Sequence, residues 1–387
     1  MLGVTSAAAA GTLGSRLLGS KAEDGQLAVK MRSLTSIGEN QNGIELPIQQ
    51  FANFISLDLK PDVSIEQVRG WMKIISDDID RLMAGKKLLA DSQPQITKMK
   101  SNLTVTVGFG PGLFEKLGIQ DKAPANFKKL PPFKIDQLQS NFSDGDVLFQ
   151  VASDSTIHLE YVTRALIRDS VYFSDVRWTQ KGFSSVAPES SIGSQRNMMG
   201  QIDGTSNPDL GSSLFKEAVW ADSGPDWFVG GTMLVFRRIK MNLDTWDILE
   251  EEDKENVIGR KLDNGAPLGG NSELDVLNFA AKDEAGLSII PPFAHVARAH
   301  LGDMKVAPIF RRPFNFSDGF SEDGKIDAGL LWIAYCKDAH LQYVPIQRRL
   351  EELDLLNKWT TPVGSAIFAI PGGRRTRNEI IGESLFV

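Results

Sequence analysis

The chain has 387 residues, 42% of them hydrophobic and 24% charged, an ordinary globular composition long enough for two domains or two fused copies of one. A net charge of −7 without a basic stripe argues against a nucleic-acid surface, and no run approaches the ~20 apolar residues of a membrane-spanning helix. Cys336 is the single cysteine, which excludes an intrachain disulfide and a cysteine-built zinc or iron–sulfur site, so a metal would have to draw on His158, His295, His300 or His340.

Residues 1–26, rich in Ala, Gly and Ser, are set apart from the fold, as a low-complexity start or as an export signal lacking its basic beginning. The rest divides into an N-terminal half, 27–190, and a C-terminal half, 191–387. In the first, "GIELPIQQFANFISLDLK" alternates as a strand does. "SIEQVRGWMKIISDDIDRLMAG" starts on serine, spaces Val68, Met72, Ile75, Ile79 and Leu82 helically, and ends on glycine, which predicts a capped amphipathic helix. "NLTVTVGFGPGLFEKLGI" reads as a strand, a Gly-Pro turn and a short helix.

Residues 145–166 and 329–350 then share a layout without a gap. Each has a glycine, an apolar strand, an aspartate at the turn (Asp154, Asp338) and a helix with arginine and leucine at matching places: Arg164 and Arg348, Leu166 and Leu350. The expected fold is therefore α+β, two related halves that are each an antiparallel sheet with helices on one face. The second half opens with "DWFVGGTMLVFRRIKMNLDTWDIL", strand then helix, and its last strand is "GSAIFAIPGG". Between them, the polar and glycine-rich 250–275 reads as a long surface excursion. His158 and His340, at the starts of the two matched helices, are expected to be structural or exposed.

No Walker loop, GxGxxG after a strand, GxSxG elbow or HExxH occurs, so nucleotide binding and the common hydrolase routes lose support. What remains is Asp203 in "GQIDGTSNP", His295 in "PPFAHVARAH" and the pair Arg311–Arg312 in "PIFRRPFNF". Each has a bland reading: a turn aspartate, a histidine at a strand end, a solvated cation. Each also has a sharper one. A neutral imidazole suits axial ligation of haem iron, a carboxylate can move a proton between peroxide oxygens, and a guanidinium can stabilise charge as the O–O bond breaks. Spacing alone does not join the three.

"RNMMGQIDGTSNP" resembles the Gly-x-x-Asp-Gly signature of the dye-decolourising peroxidases. "LTVTVGFGPGLFEKLGI", "VRWTQKGF", "WFVGGTMLVFRRIKMNLDTWD", "VIGRKLDNGAPLGG", "YVPIQRRL" and "GSAIFAIPGG" resemble further family stretches in family order, from about Gly38 to the C-terminus. The resemblance is nearest to the bacterial subgroup exported by the twin-arginine route, although no twin arginine precedes the Ala-rich start. It implies two ferredoxin-like halves, with haem b held mainly by the second. It also implies a reaction in which hydrogen peroxide generates a ferryl species that oxidises dyes, phenolic compounds or other bulky donors. Residue by residue, Asp203 matches the distal aspartate, His295 the proximal iron ligand and Arg311 the distal arginine, with Gly204 letting the backbone approach the haem. The family's arginine two places after the histidine is Ala297 here, and Arg298 follows as the candidate cofactor contact. His300 is the rival ligand. Oxidation at surface aromatics, a family habit, draws attention to Trp332, Tyr335 and Trp359 without singling one out. An exported protein and a homo-oligomer are further expectations. Haem handling with iron release and a haem-free interaction scaffold are the alternatives.

Overall fold

Two βαββαβ units of the same topology account for nearly every strand of the computed structural model, which describes residues 34–387 apart from 92, 188, 191, 303–305 and 322–323. The proposed signal at 1–26 lies outside the described residues. The first unit runs β1 (Phe51–Leu59), α1 (Ile65–Met83), α2 (Pro94–Thr97), β2 (Thr104–Phe109), α3 (Pro111–Leu117), β3 (Val147–Ser153), α4 (Thr156–Ser170) and β4 (Ser174–Phe183). A short hairpin, β5 (Gln195–Arg196) and β6 (Ile202–Asp203), and α5 (Ser213–Val219) lead into the second. That unit comprises β7 (Thr232–Met241), α6 (Leu243–Asp247), α7 (Glu251–Ile258), α8 (His295–Ala299), β8 (Phe310–Arg311), β9 (Phe314–Phe320), β10 (Ile326–Cys336), α9 (Ala339–Leu353) and β11 (Thr360–Ile370).

Both units set the fourth main strand beside the first, then the third, then the second: β4-β1-β3-β2 and β11-β7-β10-β9, all antiparallel. The two sheets meet edge to edge at Phe183–Asn315 and Ala369–Phe109, which closes eight strands into a ring. Closure hides the sheet edges that two separate units would expose.

The expected helix 65–83 forms for the anticipated reasons. Ser64 caps it in a reciprocal box with Gln67, Val68, Met72, Ile75, Ile79 and Leu82 are all buried, and Gly85 follows at φ +65°. The matched units 145–166 and 329–350 become β3–α4 and β10–α9. Their turn aspartates differ in task. Asp338 caps α9 by accepting from the amides of His340 and Leu341, whereas Ser155 caps α4 and Asp154 accepts from Gln50 N and Asn102 Nδ2. His158 is buried against Ser101 Oγ (2.8 Å), and His340 contacts Lys128 O (3.1 Å).

Strand alternation assigns the faces. Leu234 and Phe236 on β7, with Leu331, Ile333 and Tyr335 on β10, pack in one core with Phe54, Leu148 and Phe368. The opposite face of the first unit is covered by α1 and α4, with Trp71 edge-on to Phe149 at 6.1 Å. The opposite face of the second unit, carrying Arg237, Ile239, Met241, Leu330 and Trp332, borders a cavity instead.

Candidate active site

The cavity has a volume of about 330 Å³. Its floor is the β7–β10 face just named, and its walls include Ile346 and Leu350 of α9 and Val296 of α8. Asp203, His295 and Arg311, which spacing could not join, all line it.

His295 opens α8 immediately after the N-cap residue Ala294. Gly259 ends α7 at φ +87°, and a Cβ there would run into Val296 and Ala294, so only glycine lets α7 pack this closely on α8. The imidazole is fixed by a partner that no sequence signal marks: its Nδ1 lies 2.7 Å from Oδ2 of Asp354, whose side chain is 3% exposed. The second oxygen of Asp354 accepts from Leu356 N (3.0 Å), capping the short 3-10 turn after α9, so the carboxylate is held from both sides. Burial alone would push the His295 pKa down. The charge and hydrogen bond of Asp354, with a further contribution from Asp203, outweigh it and hold the pKa above the ordinary value, against the opposing charge of Arg311. With Nδ1 engaged, Nε2 is the ring nitrogen left for a ligand.

Asp203 ends β6, paired with Gln195 across the hairpin, and Gly204 turns the chain at φ +113°. A Cβ at Gly204 would meet only ordinary contacts, so backbone conformation, not space, requires glycine. Arg311 Nη1 lies 3.1 Å from Asp203 Oδ1, and both side chains are mostly shielded. The hairpin is anchored beneath: Trp246 Nε1 donates to Met199 O (2.9 Å), and Met198 N donates to Asn315 Oδ1 (3.0 Å).

The segment expected to be a surface excursion is in part a buried support. Glu273 is 4% exposed and accepts from Ser190 Oγ, Ser194 Oγ and Thr205 Oγ1 at 2.7–2.8 Å. Arg260, also buried, donates to the carbonyls of Gly265 and Glu273. Charges read as solvated there are drawn inward because the loop behind Asp203 supplies hydroxyls to satisfy them.

The remaining residues fall as follows. Arg298 does not line the cavity; it donates to Arg349 O and to Glu352, tying α8 to α9. His300 does line it, but its Nδ1 accepts from Gly302 N (2.9 Å) and its ring packs on Phe279 at 4.9 Å. Arg312 turns away to Leu46 O and Gln49. Trp332 lines the cavity 5.2 Å from Tyr343, Trp359 packs on Trp246 at 5.5 Å, and Tyr335 is buried with its hydroxyl on Gln150. Among the described residues no helix is long and apolar enough to cross a membrane.

Known proteins share this fold. Residues 41–184 match the family model of the N-terminal part of Dyp-type peroxidases, and 194–375 match that of the C-terminal part. The chain is 34% identical over 351 residues to the dye-decolorizing peroxidase of Thermobifida fusca (strain YX), covering 87% of this chain and 82% of that one. It is 29% identical to a deferrochelatase of Yersinia pseudotuberculosis, over 90% of this chain and 83% of that one. Among solved structures, a DyP-type peroxidase from Cellulomonas bogoriensis superposes with a TM-score of 0.87 at 40% identity, covering 91% of this chain and 98% of that one. The oxyferrous complex of DtpA from Streptomyces lividans also gives 0.87, at 32% identity over 92% and 98% of the two chains.

Proposed function

The chain belongs to the Dyp-type peroxidases and is a haem peroxidase, and we propose that His295, Asp203 and Arg311 are the residues through which it works. The single observation that carries this reading is that a histidine held by a buried carboxylate and an Asp–Arg pair line one largely apolar cavity.

The residues fit haem. Imidazole Nε2 is a suitable axial donor for iron, and a Nδ1 hydrogen bond to carboxylate is the arrangement that raises a ligand's basicity. The wall of Ile239, Met241, Leu330, Ile346 and Leu350 suits a flat apolar macrocycle. Gln201, also on the cavity wall, keeps Nε2 buried without a partner among the described residues, a donor the protein itself leaves unmet.

Bound haem supplies the redox chemistry, taking up the oxidising equivalents of peroxide and returning them singly to reducing substrates. The chain does the rest. Asp354 fixes the tautomer and orientation of His295 and keeps Nε2 facing the cavity. Arg311 occupies Oδ1 of Asp203 and so leaves Oδ2 as the oxygen that accepts a proton from peroxide and returns it to the departing oxygen. The guanidinium stabilises the negative charge that grows on that oxygen. The apolar wall excludes water, which strengthens both effects.

The test is the visible spectrum of the haem-reconstituted protein before and after one equivalent of hydrogen peroxide. A ferric Soret band that shifts with peroxide and reverts on adding a reducing dye is expected. A band that peroxide only bleaches, with iron freed from intact porphyrin, would favour haem handling, the activity for which the Yersinia relative is named. No stable band would remove His295 from its role.

A further inference from the structure

Asp203 and Arg311 lie 108 residues apart, yet their reacting groups must meet within a few tenths of an ångström. The strand geometry around Arg311 shows what sets their register. β8 and β9 run as one line along β10, interrupted at Arg312–Pro313: Arg311 faces Ala334 and Phe314 faces Leu331 in a common register. Arg312 N donates to Ile333 O (2.9 Å). In an antiparallel pair the next residue's N–H and C=O point the opposite way, so those of Arg311 face away from β10.

The group that meets them is the side chain of Asn207. Its Nδ2 donates to Arg311 O (2.7 Å) and its Oδ1 accepts from Arg311 N (2.9 Å). A carboxamide carries the same donor and acceptor as a peptide unit, so Asn207 pairs with Arg311 as one residue of a neighbouring strand would. Asn207 N in turn donates to Gly204 O (2.9 Å), closing a turn that starts one residue after Asp203. Within that turn Thr205 is fastened to buried Glu273. Asn207 does not itself line the cavity.

We propose that Asn207 is a positioning residue for the peroxide reaction, docking the backbone of Arg311 onto the Asp203 turn so that guanidinium and carboxylate meet. This rests on the peroxidase reading above. The turn thus carries a catalytic carboxylate and, four residues on, the device that fixes its partner.

The full chain, reconstituted with haem, tests it by stopped flow with hydrogen peroxide. Asn207→Ala is expected to lower the second-order rate constant roughly tenfold or more, while haem affinity, the ferric spectrum and the apparent KM for a reducing dye stay at wild-type values. Asn207→Asp, of the same shape but with an oxygen facing Arg311 O, is expected to do the same and serves if the alanine variant folds poorly. Combining Asn207→Ala with Arg311→Leu should slow the reaction no further than Arg311→Leu alone, to within about twofold. Wild-type rates in both Asn207 variants, or losses that multiply in the double variant, would overturn the proposal. A wild-type rate in Arg311→Leu would remove the role of Arg311 and the proposal with it, and failure of the wild-type chain to hold haem would be the failure of the peroxidase reading itself.

Discussion

The two halves share a topology and differ in what lies between sheet and helices. In the first, α1 and α4 pack straight onto the sheet, and Trp71, Met72, Ile75, Phe149, Val162 and Leu166 fill the space. In the second, α9 takes the place of α4, but the chain between β7 and β9 replaces one long helix with α6, α7, a long irregular stretch and α8. The side chains that would have filled the interior become walls: Ile239, Met241, Leu330 and Ile346 border the cavity. One half covers its apolar face with packed helices and the other leaves part of it lining a cavity. Asp354, Asp203 and Arg311 stand where the second half is hollow.

If that division is real, the largest effects on chemistry come from the hollow half at little cost in folding. Asp203→Asn and Arg311→Leu are each expected to retain haem and to slow the peroxide reaction by about 10²–10⁴-fold, read by stopped flow. Wild-type rates in both would undo the assignment. The solid half should respond the other way. Trp71→Ala is expected to lose ~3–5 kcal/mol of stability, while Leu330→Ala, already beside open volume, loses ~1–2 kcal/mol in the haem-free protein. Equal losses in urea unfolding would mean that the cavity wall is packed as tightly as the core. Asp354→Asn comes next. It keeps the shape but removes the charge behind His295, and haem affinity or peroxide rate is expected to fall ~10–100-fold.

Much of the solid half was legible because its elements are local. The α1 helix announces itself by Ser64, its apolar spacing and Gly85, and the match of 145–166 with 329–350 exposed the doubled topology. Asp203, His295 and Arg311 stood out by motif and resemblance. Their supports did not, because each is a tertiary event. Asp354 is an unremarkable aspartate after a helix until the chain folds it against His295, and Asn207 is a turn residue until Arg311 arrives beside it. The Glu273 network shows the reverse error: a polar, glycine-rich stretch reads as solvated, yet hydroxyls brought from another loop make burial affordable. Arg298 illustrates a positional limit, since on a one-turn helix a shift by one residue changes the face, and here it points to α9.

The smallest effect concerns a buried carboxyl group in the solid half. Asp78 on α1 is 6% exposed, and burial, a hydrogen bond with Asp169 of α4 and the charges of Asp169 and Asp77 together raise its pKa to about 7, with Arg168 opposing. The folded protein therefore keeps a proton that the unfolded chain releases above about pH 4. Because the native state binds more protons across that window, stability falls as pH rises from about 4 to about 7, and above 7 the folded carboxylate sits charged among acids. Asp78→Asn supplies the neutral form permanently. It is expected to match wild type near pH 4 and to exceed it near pH 8 by on the order of 1–2 kcal/mol, less than the full shift because solvent and local relaxation screen part of the cost. Urea midpoints at the two pH values measure this directly, and a difference that does not grow with pH would show that Asp78 is better solvated than its place between the two helices implies.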